Sequence, residues 1–160
     1  MADVYLRLLK VEDAMVSYKW RNDEDLWKYS GSRPTVTVTP EIESEWARKA
    51  IADPSRANFA ICLKDARYIG NAYLIHMRDG IGELGIFIGD RSCHGRGYGV
   101  QALQELMRRA RQEFGVRAIL INVDEKNIPA LKTYEKCGAV RVPEGRPLPL
   151  GRFWMRIDLY

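Results

Sequence analysis

The sequence predicts an α+β protein with a mixed β-sheet, and two observations carry that prediction. Alternating or branched apolar segments indicate strands and segments with a helical apolar period indicate helices, in the order β-α-α-β-β-β-α-β-α-β-β. Between residues 83 and 124, one strand, one helix and one strand have the length of a crossover unit, so those two strands should be parallel. The consecutive strands on either side of this unit should pair antiparallel, which makes the sheet mixed.

The first half of the chain contains signals for one strand, two helices and a pair of strands. The segments are residues 4–9 (strand), 11–22 and 39–53 (helices), and 58–64 and 68–77 (strands). Thr39 is a favourable N-cap for the second helix, and Pro40 suits its first position. Ile42, Trp46 and Ala50 follow at four-residue steps and predict its buried face. A short polar turn separates the last two segments, which predicts an antiparallel hairpin.

In the second half, the apolar period changes from that of a strand to that of a helix at Gly99. The segments are residues 81–89, 118–124, 139–142 and 152–160 (strands), and 99–114 and 127–138 (helices). Gly115 ends the long helix, whose apolar face is Val100, Leu103, Met107, Ala110 and Phe114. The short helix has Pro129 near its start and Gly138 past its end.

Length and composition favour one soluble, folded domain over residues 1–160. The chain is 46% apolar and 29% charged, with a net charge of +4 that is too small to indicate DNA binding. Its three cysteines, Cys62, Cys93 and Cys137, form no CxxC motif and follow no signal-like segment, which predicts free thiols and a cytoplasmic location. The two histidines form no HExxH motif, so we expect no dedicated metal site. No apolar run is long enough to span a membrane.

Three alternate glycines stand immediately before the long helix. Gly95, Gly97 and Gly99 leave the backbone bare at a helix N-terminus, where unpaired N–H groups and the helix dipole attract anions. Arg96 adds a positive charge within the same loop. A diphosphate is the ligand that this combination predicts.

Two other phosphate-binding loops are less compatible with the sequence. A Walker loop needs Gly-Lys followed by Ser or Thr, and the sequence has none. The segment 97–102 does fit the dinucleotide pattern G-x-G-x-x-A, and Asp124 ends the next strand. However, the segment lies past the middle of the chain and belongs to the sole crossover unit, so a two-halved dinucleotide fold does not fit.

The third alternative is a coenzyme A loop, because two motifs resemble those of the GNAT N-acetyltransferases. The segment His94-Gly95-Arg96-Gly97-Tyr98-Gly99 resembles the Q/R-x-x-G-x-G/A signature of that family, and residues 127–139 are similar to its N-x-x-A-x-x-x-Y-x-x-x-G-F pattern. The element order also matches, so the resemblance covers essentially the whole chain. It implies a largely antiparallel sheet of about seven strands with a central splayed parallel pair, about four flanking helices, and acetyl-CoA as the acyl donor.

The resemblance also implies which residues contact the coenzyme. They are Ile86, Phe87, Ile88, His94, Gly95, Arg96, Gly97, Tyr98, Gly99, Asn127 and Ala130. Backbone groups of residues 86–88 would bind the pantetheine arm as a pseudo-strand, and a free N–H there would stabilise the thioester oxyanion. From its position alone, Asn127 could equally cap the helix that follows.

Two catalytic roles follow from the same resemblance. Tyr134 would be the general acid for the leaving thiolate, although its spacing alone suits a core aromatic residue. Glu83 would be the general base for the incoming ammonium, directly or through water, although its position also suits a solvated carboxylate at a strand end. Cys93 and Cys137 have no evident histidine partner, so we expect direct attack by the amine without an acyl-enzyme.

In this family the first two helices and their connection bind the acceptor, which here corresponds to residues 18–34. Trp20, Asn22, Asp23 and Tyr29 are the expected acceptor residues, because aromatic and acidic groups suit a cationic or sugar-like amine. We therefore expect an acetyl-CoA-dependent N-acetyltransferase of a small primary amine such as an amino sugar or polyamine. The alternatives are a protein N-terminal acetyltransferase and, in another class, a non-catalytic acyl-CoA-binding module. Aromatic residues in the last strand, if exposed, would allow a homodimer.

Overall fold

A seven-stranded β-sheet is the centre of the structure, a computed structural model that describes residues 3–29 and 34–160. The strands are β1 (Val4–Leu8), β2 (Ala57–Leu63), β3 (Tyr68–Arg78), β4 (Ile81–Ile88), β5 (Ala118–Asp124), β6 (Val140–Val142) and β7 (Arg152–Asp158). The helices are α1 (Ala14–Arg21), α2 (Pro40–Ala52), α3 (Tyr98–Phe114) and α4 (Ile128–Lys136). The order and type of these elements confirm the α+β fold predicted from the sequence.

The pairing of the strands is mostly antiparallel, as expected. In the sheet order β1-β2-β3-β4-β5-β7-β6, the central pair β4–β5 is parallel and every other pair is antiparallel. The parallel pair is short: Ile81 is opposite Ala118, Gly82 is opposite Ile119 and Glu83 is opposite Leu120. Beyond Glu83 the two strands separate, which confirms the predicted splay and opens a gap in the middle of the sheet.

Alternation along β4 gives the sheet two different faces. Leu84, Ile86 and Ile88 lie on the face that packs against the main apolar cluster, to which α3 contributes the fully buried Leu103 and Leu106. Phe87 lies on the opposite face, where aromatic residues from the region of α1 cover it. The gap between β4 and β5 therefore has α3 on one side and the α1–α2 region on the other.

The N-cap residues predicted for two helices are observed. The Thr39 side chain accepts a hydrogen bond of 3.2 Å from the Ile42 backbone N–H and caps α2, with Pro40 at its first position. Asn127 caps α4 in the same manner, accepting a 3.3 Å hydrogen bond from the Ala130 backbone N–H. These contacts confirm the cap that was one of the two roles considered for Asn127.

The predicted buried face of α2 is confirmed at Ala50 but is wrong at Ile42, and Trp46 is partly buried. Its buried residues are Glu43, Ala47 and Ala50, whereas Ile42 is 46% exposed. The helix is rotated because the Glu43 carboxylate is buried as a hydrogen-bond acceptor, with the Ser17 hydroxyl 2.9 Å away. A buried acidic residue cannot be predicted from apolar periodicity, so the sequence pattern indicated the neighbouring face of the helix.

Two smaller expectations also need correction. The buried side of α3 is formed by Ala102, Leu103, Leu106 and Ala110, and Phe114 at its end is 41% exposed. In β7, Trp154 is only 5% exposed because its indole N–H donates a 2.8 Å hydrogen bond to the Arg146 carbonyl. The last strand therefore presents fewer exposed aromatic side chains than expected for a dimer surface.

Within residues 3–29 and 34–160, no helix combines the length and apolarity needed to cross a membrane. The three cysteines are free, as predicted, with Cys62 and Cys93 buried and Cys137 partly buried.

Candidate active site

The loop between β4 and α3 holds Gly95 and Gly97, and the third alternate glycine, Gly99, lies in the first turn of α3. Gly95 and Gly97 have φ angles of +73° and +80°, in the left-handed region that disfavours other residues. A Cβ atom at either position would meet nothing within 4 Å, so the backbone conformation, not crowding, requires glycine there. The expected position before a helix is confirmed for Gly95 and Gly97, and their left-handed backbones give the reason for glycine there, whereas Gly99 lies inside the helix.

The N-terminus of α3 is open among the described residues. Gly97 is the N-cap and supplies no side-chain cap, and the first backbone bond of the helix runs from the Gln101 N–H to the Gly97 carbonyl at 3.3 Å. The preceding N–H groups of the first turn therefore remain available to a ligand, at the positive end of the helix dipole. Arg96 is anchored beside them by a 3.0 Å hydrogen bond from its Nε to the Ser92 carbonyl. This combination fits a diphosphate.

His94 connects the start of this loop to the end of β4. Its Nε2 atom lies 2.7 Å from the Ile88 carbonyl oxygen, which can only accept, so Nε2 carries the proton. The ring is therefore engaged in positioning the loop.

One edge of β4 lacks a strand partner past Glu83. Residues Gly70 to Ala72 of β3 pair with Ile86 to Ile88 on one side, but β5 does not pair with this part of β4 on the other. An extended group that enters the gap can hydrogen-bond to such an edge. The geometry thus fits the pantetheine contacts expected for residues 86–88.

Tyr134 lies on α4 and is 9% exposed. Burial raises the pKa of Tyr134 to about 12, and the nearby Tyr73 contributes in the same direction. At neutral pH the phenol is therefore protonated, as a general acid must be. Its hydroxyl forms no hydrogen bond to another residue in the described part of the chain, which leaves its proton free for a ligand.

Tyr73 is a site residue that sequence reasoning missed. It pairs with Gly85 across β3 and β4, and a Cβ atom on Gly85 would overlap the Tyr73 ring. The ring therefore lies directly across the β4 backbone, two residues from Glu83. A glycine inside a strand often indicates such a close approach, and Gly85 was the available signal.

Glu83 is neither solvated nor free. Its side chain is 12% exposed, and its Oε1 atom forms an ion pair with Arg146 from the loop between β6 and β7. The Oε2 atom is buried without a hydrogen-bond partner among the described residues, with His76 Nε2 3.5 Å away. A buried acceptor in this state is costly unless a water or ligand donates to it. Sequence reasoning also missed Arg146, which is 63 residues from its partner.

The expected acceptor residues Trp20 and Asn22 have structural contacts. Trp20 is buried, with its ring centroid 4.8 Å from that of Tyr68 and 6.0 Å from that of Phe87. The Asn22 amide exchanges two 2.8 Å hydrogen bonds with the Val38 backbone, which ties the end of α1 to the segment before α2. An acceptor role for these two residues stays a prediction.

Asp23 and Tyr29 are partly buried in the same region. Asp23 binds the Arg91 guanidinium, whose Nε is 2.7 Å from Oδ2, and Asp25 binds the same guanidinium at 2.9 Å. The Tyr29 carbonyl accepts a 2.7 Å hydrogen bond from Arg152. The acidic charge expected to attract an amine is thus neutralised at Asp23. Residues 30–33 of the predicted acceptor segment lie outside the described residues.

A splayed parallel pair, an open helix N-terminus and a neutral tyrosine together fit the arrangement that the sequence motifs predict for a coenzyme A-dependent acyltransferase. A family model described as an acetyltransferase (GNAT) domain matches residues 3–140, and the chain belongs to this family.

Comparison with curated proteins gives related enzymes. A Bacillus subtilis protein named "Putative phosphinothricin acetyltransferase" is 32% identical over 112 residues, covering 65% of this chain and 64% of that protein. An "N-acetyltransferase 9-like protein" of Caenorhabditis briggsae is 21% identical over 132 residues, covering 74% of this chain and 65% of that protein. The chain thus spans slightly less than two thirds of the length of each.

Solved structures show the same fold over nearly the whole chain. The spermidine N-acetyltransferase of Vibrio cholerae, in complex with CoA and spermine, has a TM-score of 0.84 at 21% identity, covering 98% of this chain and 96% of that one. An aminoglycoside acetyltransferase in complex with coenzyme A has a TM-score of 0.79 at 22% identity, covering 97% and 94%. The Vibrio enzyme has also been solved as a dodecamer, with a TM-score of 0.77, 20% identity and coverage of 98% and 94%.

Proposed function

We propose that this acetyltransferase transfers the acetyl group to a primary amine of a small molecule, by direct attack in a ternary complex. The observation that carries the proposal is the Glu83 carboxylate. Glu83 belongs to the last residue pair before β4 and β5 separate, and its buried Oε2 atom lacks a hydrogen bond in the described structure. A donor such as an ammonium or a bridging water would satisfy that atom.

The residues of the gap fit acetyl-CoA, which supplies an activated thioester when bound. The first turn of α3, with Gly95, Gly97, Tyr98 and Gly99, would hold the diphosphate through backbone N–H groups, assisted by Arg96. The free edge of residues 86–88 would hold the pantetheine arm, with Asn127 and Ala130 at the start of α4 on the other side of the gap. His94, also expected to contact the coenzyme, would position this loop through its Nε2 contact with the Ile88 carbonyl.

Two proton transfers accompany the reaction. An amine is mostly an ammonium ion at neutral pH and must lose a proton before it attacks the acetyl carbonyl. Glu83 Oε2, directly or through a water, takes that proton. Tyr134 donates its proton to the departing thiolate. Because a thiol has a pKa of about 8.5, the thiolate is already a fair leaving group, and this donation accelerates the reaction without being indispensable.

For the acceptor, we propose an amino sugar or a polyamine. The related structures act, by their names, on spermidine and aminoglycosides, and a curated relative is named for phosphinothricin. Trp20, Asn22, Asp23 and Tyr29 would contribute to the acceptor site. Their contacts within the protein support a structural contribution to that region.

A thiol-release assay with acetyl-CoA tests the proposal. The panel contains spermidine, glucosamine, an aminoglycoside, phosphinothricin and peptides with free N-termini. We expect thiol release with at least one small amine, and slower release by Tyr134→Phe and Glu83→Gln. Tyr5→Phe and Glu45→Gln, at exposed positions on β1 and α2, serve as matched controls. If thiol is released with peptides alone, the acceptor is a protein N-terminus and not a small molecule. If the protein binds the coenzyme but no acceptor releases thiol, the protein is a binding module.

Three broader expectations belong to the same proposal. Residues 1–160 would form a single domain, since one sheet includes strands from both ends of the chain. The free thiols support the cytoplasmic location. Val140 on the edge strand β6 and the terminal Tyr160 are 61% and 91% exposed and would support a homodimer through the last strands, which light scattering in solution would test.

A further inference from the structure

The face of the sheet opposite α3 carries a cluster of arginine and aromatic side chains. The Trp46 ring of α2 is contacted by two guanidinium groups, Arg21 at 4.5 Å and Arg56 at 5.8 Å from its centroid. Arg56 also stacks on Tyr73 at 5.2 Å. Such stacking leaves the edges of a guanidinium group free to bind anions in a bidentate manner.

The two arginines differ in their charge partners. Arg21 forms an ion pair with the buried Glu43, with Nε 3.3 Å from the carboxylate. Arg56 donates from Nε to the neutral Asn58 amide oxygen at 2.9 Å, and no carboxylate of the described residues lies within ion-pairing distance. Burial, reinforced by the charge of Arg21, lowers the pKa of Arg56, although Tyr73 and Asp53 oppose this effect. A partly buried cation without an anion is unfavourable, and an anionic ligand would remove that cost.

Arg56 is close to the reaction site through a short chain of contacts. Arg56 stacks on Tyr73, and the Tyr73 ring lies across Gly85 on the strand of Glu83. Tyr73 also lies near enough to Tyr134 to affect its pKa. The guanidinium group is therefore one aromatic side chain away from the proposed acid and base.

The carboxylates of this region do not offer a site for a polycation. Four of them already have a guanidinium partner: Asp23 and Asp25 contact Arg91, Glu43 contacts Arg21, and Glu83 contacts Arg146. Of the arginines in the cluster with Trp46 and Tyr73, Arg56 is the one without an ion pair among the described residues. This charge distribution suits an amine that also carries an anion better than it suits spermidine.

We infer that the acceptor of this enzyme is an amine that also carries an anionic oxygen group, a phosphate, phosphinate or carboxylate, and that Arg56 binds this group. The inference rests on the proposed function and narrows its acceptor class. In this arrangement Tyr73 separates the anion site from the reacting amine, and Arg56 determines specificity without taking part in the chemistry.

The test compares acceptors that differ in the anionic group. Glucosamine 6-phosphate is compared with glucosamine, phosphinothricin provides a carboxylate and a phosphinate, and spermidine is the polycation. We expect a higher kcat/KM for at least one anionic amine than for glucosamine and spermidine. Arg56→Ala should raise KM for that amine about 10- to 100-fold, as expected for the loss of charge-assisted hydrogen bonds, with little change in kcat or in the KM for acetyl-CoA.

Two further variants separate charge recognition from damage to the fold. Arg56→Lys keeps the charge without the planar fork and should recover part of the affinity. Arg48→Ala removes an exposed arginine of α2 and should leave every acceptor unaffected. A higher kcat/KM for spermidine or glucosamine than for both anionic amines would overturn the inference. An equal decrease in kcat/KM for all acceptors in Arg56→Ala would also overturn it.

The proposed function and this inference fail in different ways. If no amine releases thiol, the proposed function fails, and the inference is then decided by thermal unfolding in the presence of coenzyme A. A larger increase in Tm with glucosamine 6-phosphate than with glucosamine, lost in Arg56→Ala, would support the anion site. Equal increases, or an increase retained in Arg56→Ala, would exclude it.

Discussion

The ring of Tyr73 lies across the backbone of Gly85, so closely that a single methyl group on Gly85 would overlap it. This contact joins β3 to the strand that carries the proposed base, and it places Tyr73 between Arg56 and the gap in the sheet. A residue without a side chain is therefore required in the middle of β4 because of its neighbour, and not because of its own backbone conformation.

Gly85→Ala should displace Tyr73 and impair both stability and activity. Overpacking of this kind lowers the free energy of unfolding by about 1–3 kcal/mol. We also expect kcat/KM to fall about 10-fold or more, because the acceptor side of the gap changes shape. Thermal unfolding and steady-state kinetics measure the two effects. Gly82→Ala is the matched control in the same strand, since its nearest Cβ contact would be the flexible Met77 side chain at 3.3 Å and its other contacts would be at ordinary van der Waals distances. Equal effects of both substitutions would contradict the role given to Tyr73.

Tyr134→Phe should lower kcat about 10- to 100-fold while leaving KM for acetyl-CoA nearly unchanged, because it removes a proton donor and little binding surface. Since the pKa of Tyr134 is raised to about 12, the phenol keeps its proton at a pH where an ordinary tyrosine is half ionised, at about pH 10. The wild-type kcat should therefore show no decline from loss of this proton between neutral pH and about pH 10. If the wild-type kcat fell in that pH range by as much as the Tyr134→Phe substitution lowers it, Tyr134 would not be the general acid.

Glu83→Gln should reduce kcat/KM by about 100-fold or more and weaken its pH dependence, because the amide cannot accept the proton of the ammonium. Arg146 would lose its ion-pair partner but is 56% exposed, so we expect a small change in Tm. Kinetics as a function of pH are compared with those of Glu45→Gln. An unchanged pH profile would place the base elsewhere, in a water chain or at Asp124.

Gly97→Ala and Gly115→Ala form a pair of substitutions at opposite ends of α3. Both glycines have left-handed backbones, with φ of +80° and +64°, so each substitution should destabilise the protein by about 1–2 kcal/mol. Only Gly97→Ala alters the open first turn, and it should raise KM for acetyl-CoA about 10-fold. If both variants raise KM to the same extent, the effect comes from the stability of the helix and not from a phosphate site.

The parts of the fold that could be predicted from the sequence depend on local signals. The crossover unit, the helix caps and the glycine loop are each defined within a few tens of residues by apolar period and turn chemistry. The family motifs then indicated Tyr134 and the coenzyme contacts, whose roles await direct test.

The residues that were missed acquire their roles through distant partners. Arg146 contacts Glu83 across 63 residues, and Arg56 meets Tyr73 only because β2 and β3 pair. Glu43 is buried by partners 22 and 26 residues before it in the chain, which shifts the buried face of α2 from the expected one to the neighbouring one. The apolar pattern of a sequence reflects hydrophobicity alone. It does not show which distant polar partner stabilises a buried charge.

The early separation of β4 from β5 has a consequence for the whole chain. Only three residue pairs join the four strands on one side of the gap to the three strands on the other. A donor bound along the free edge of β4 would contact both halves and would bind only to the folded protein. By mass action such a ligand adds about 2.7 kcal/mol to the free energy of unfolding at a hundredfold excess over its Kd. The supply of acetyl-CoA in the cell would then govern the abundance of folded enzyme as well as its turnover.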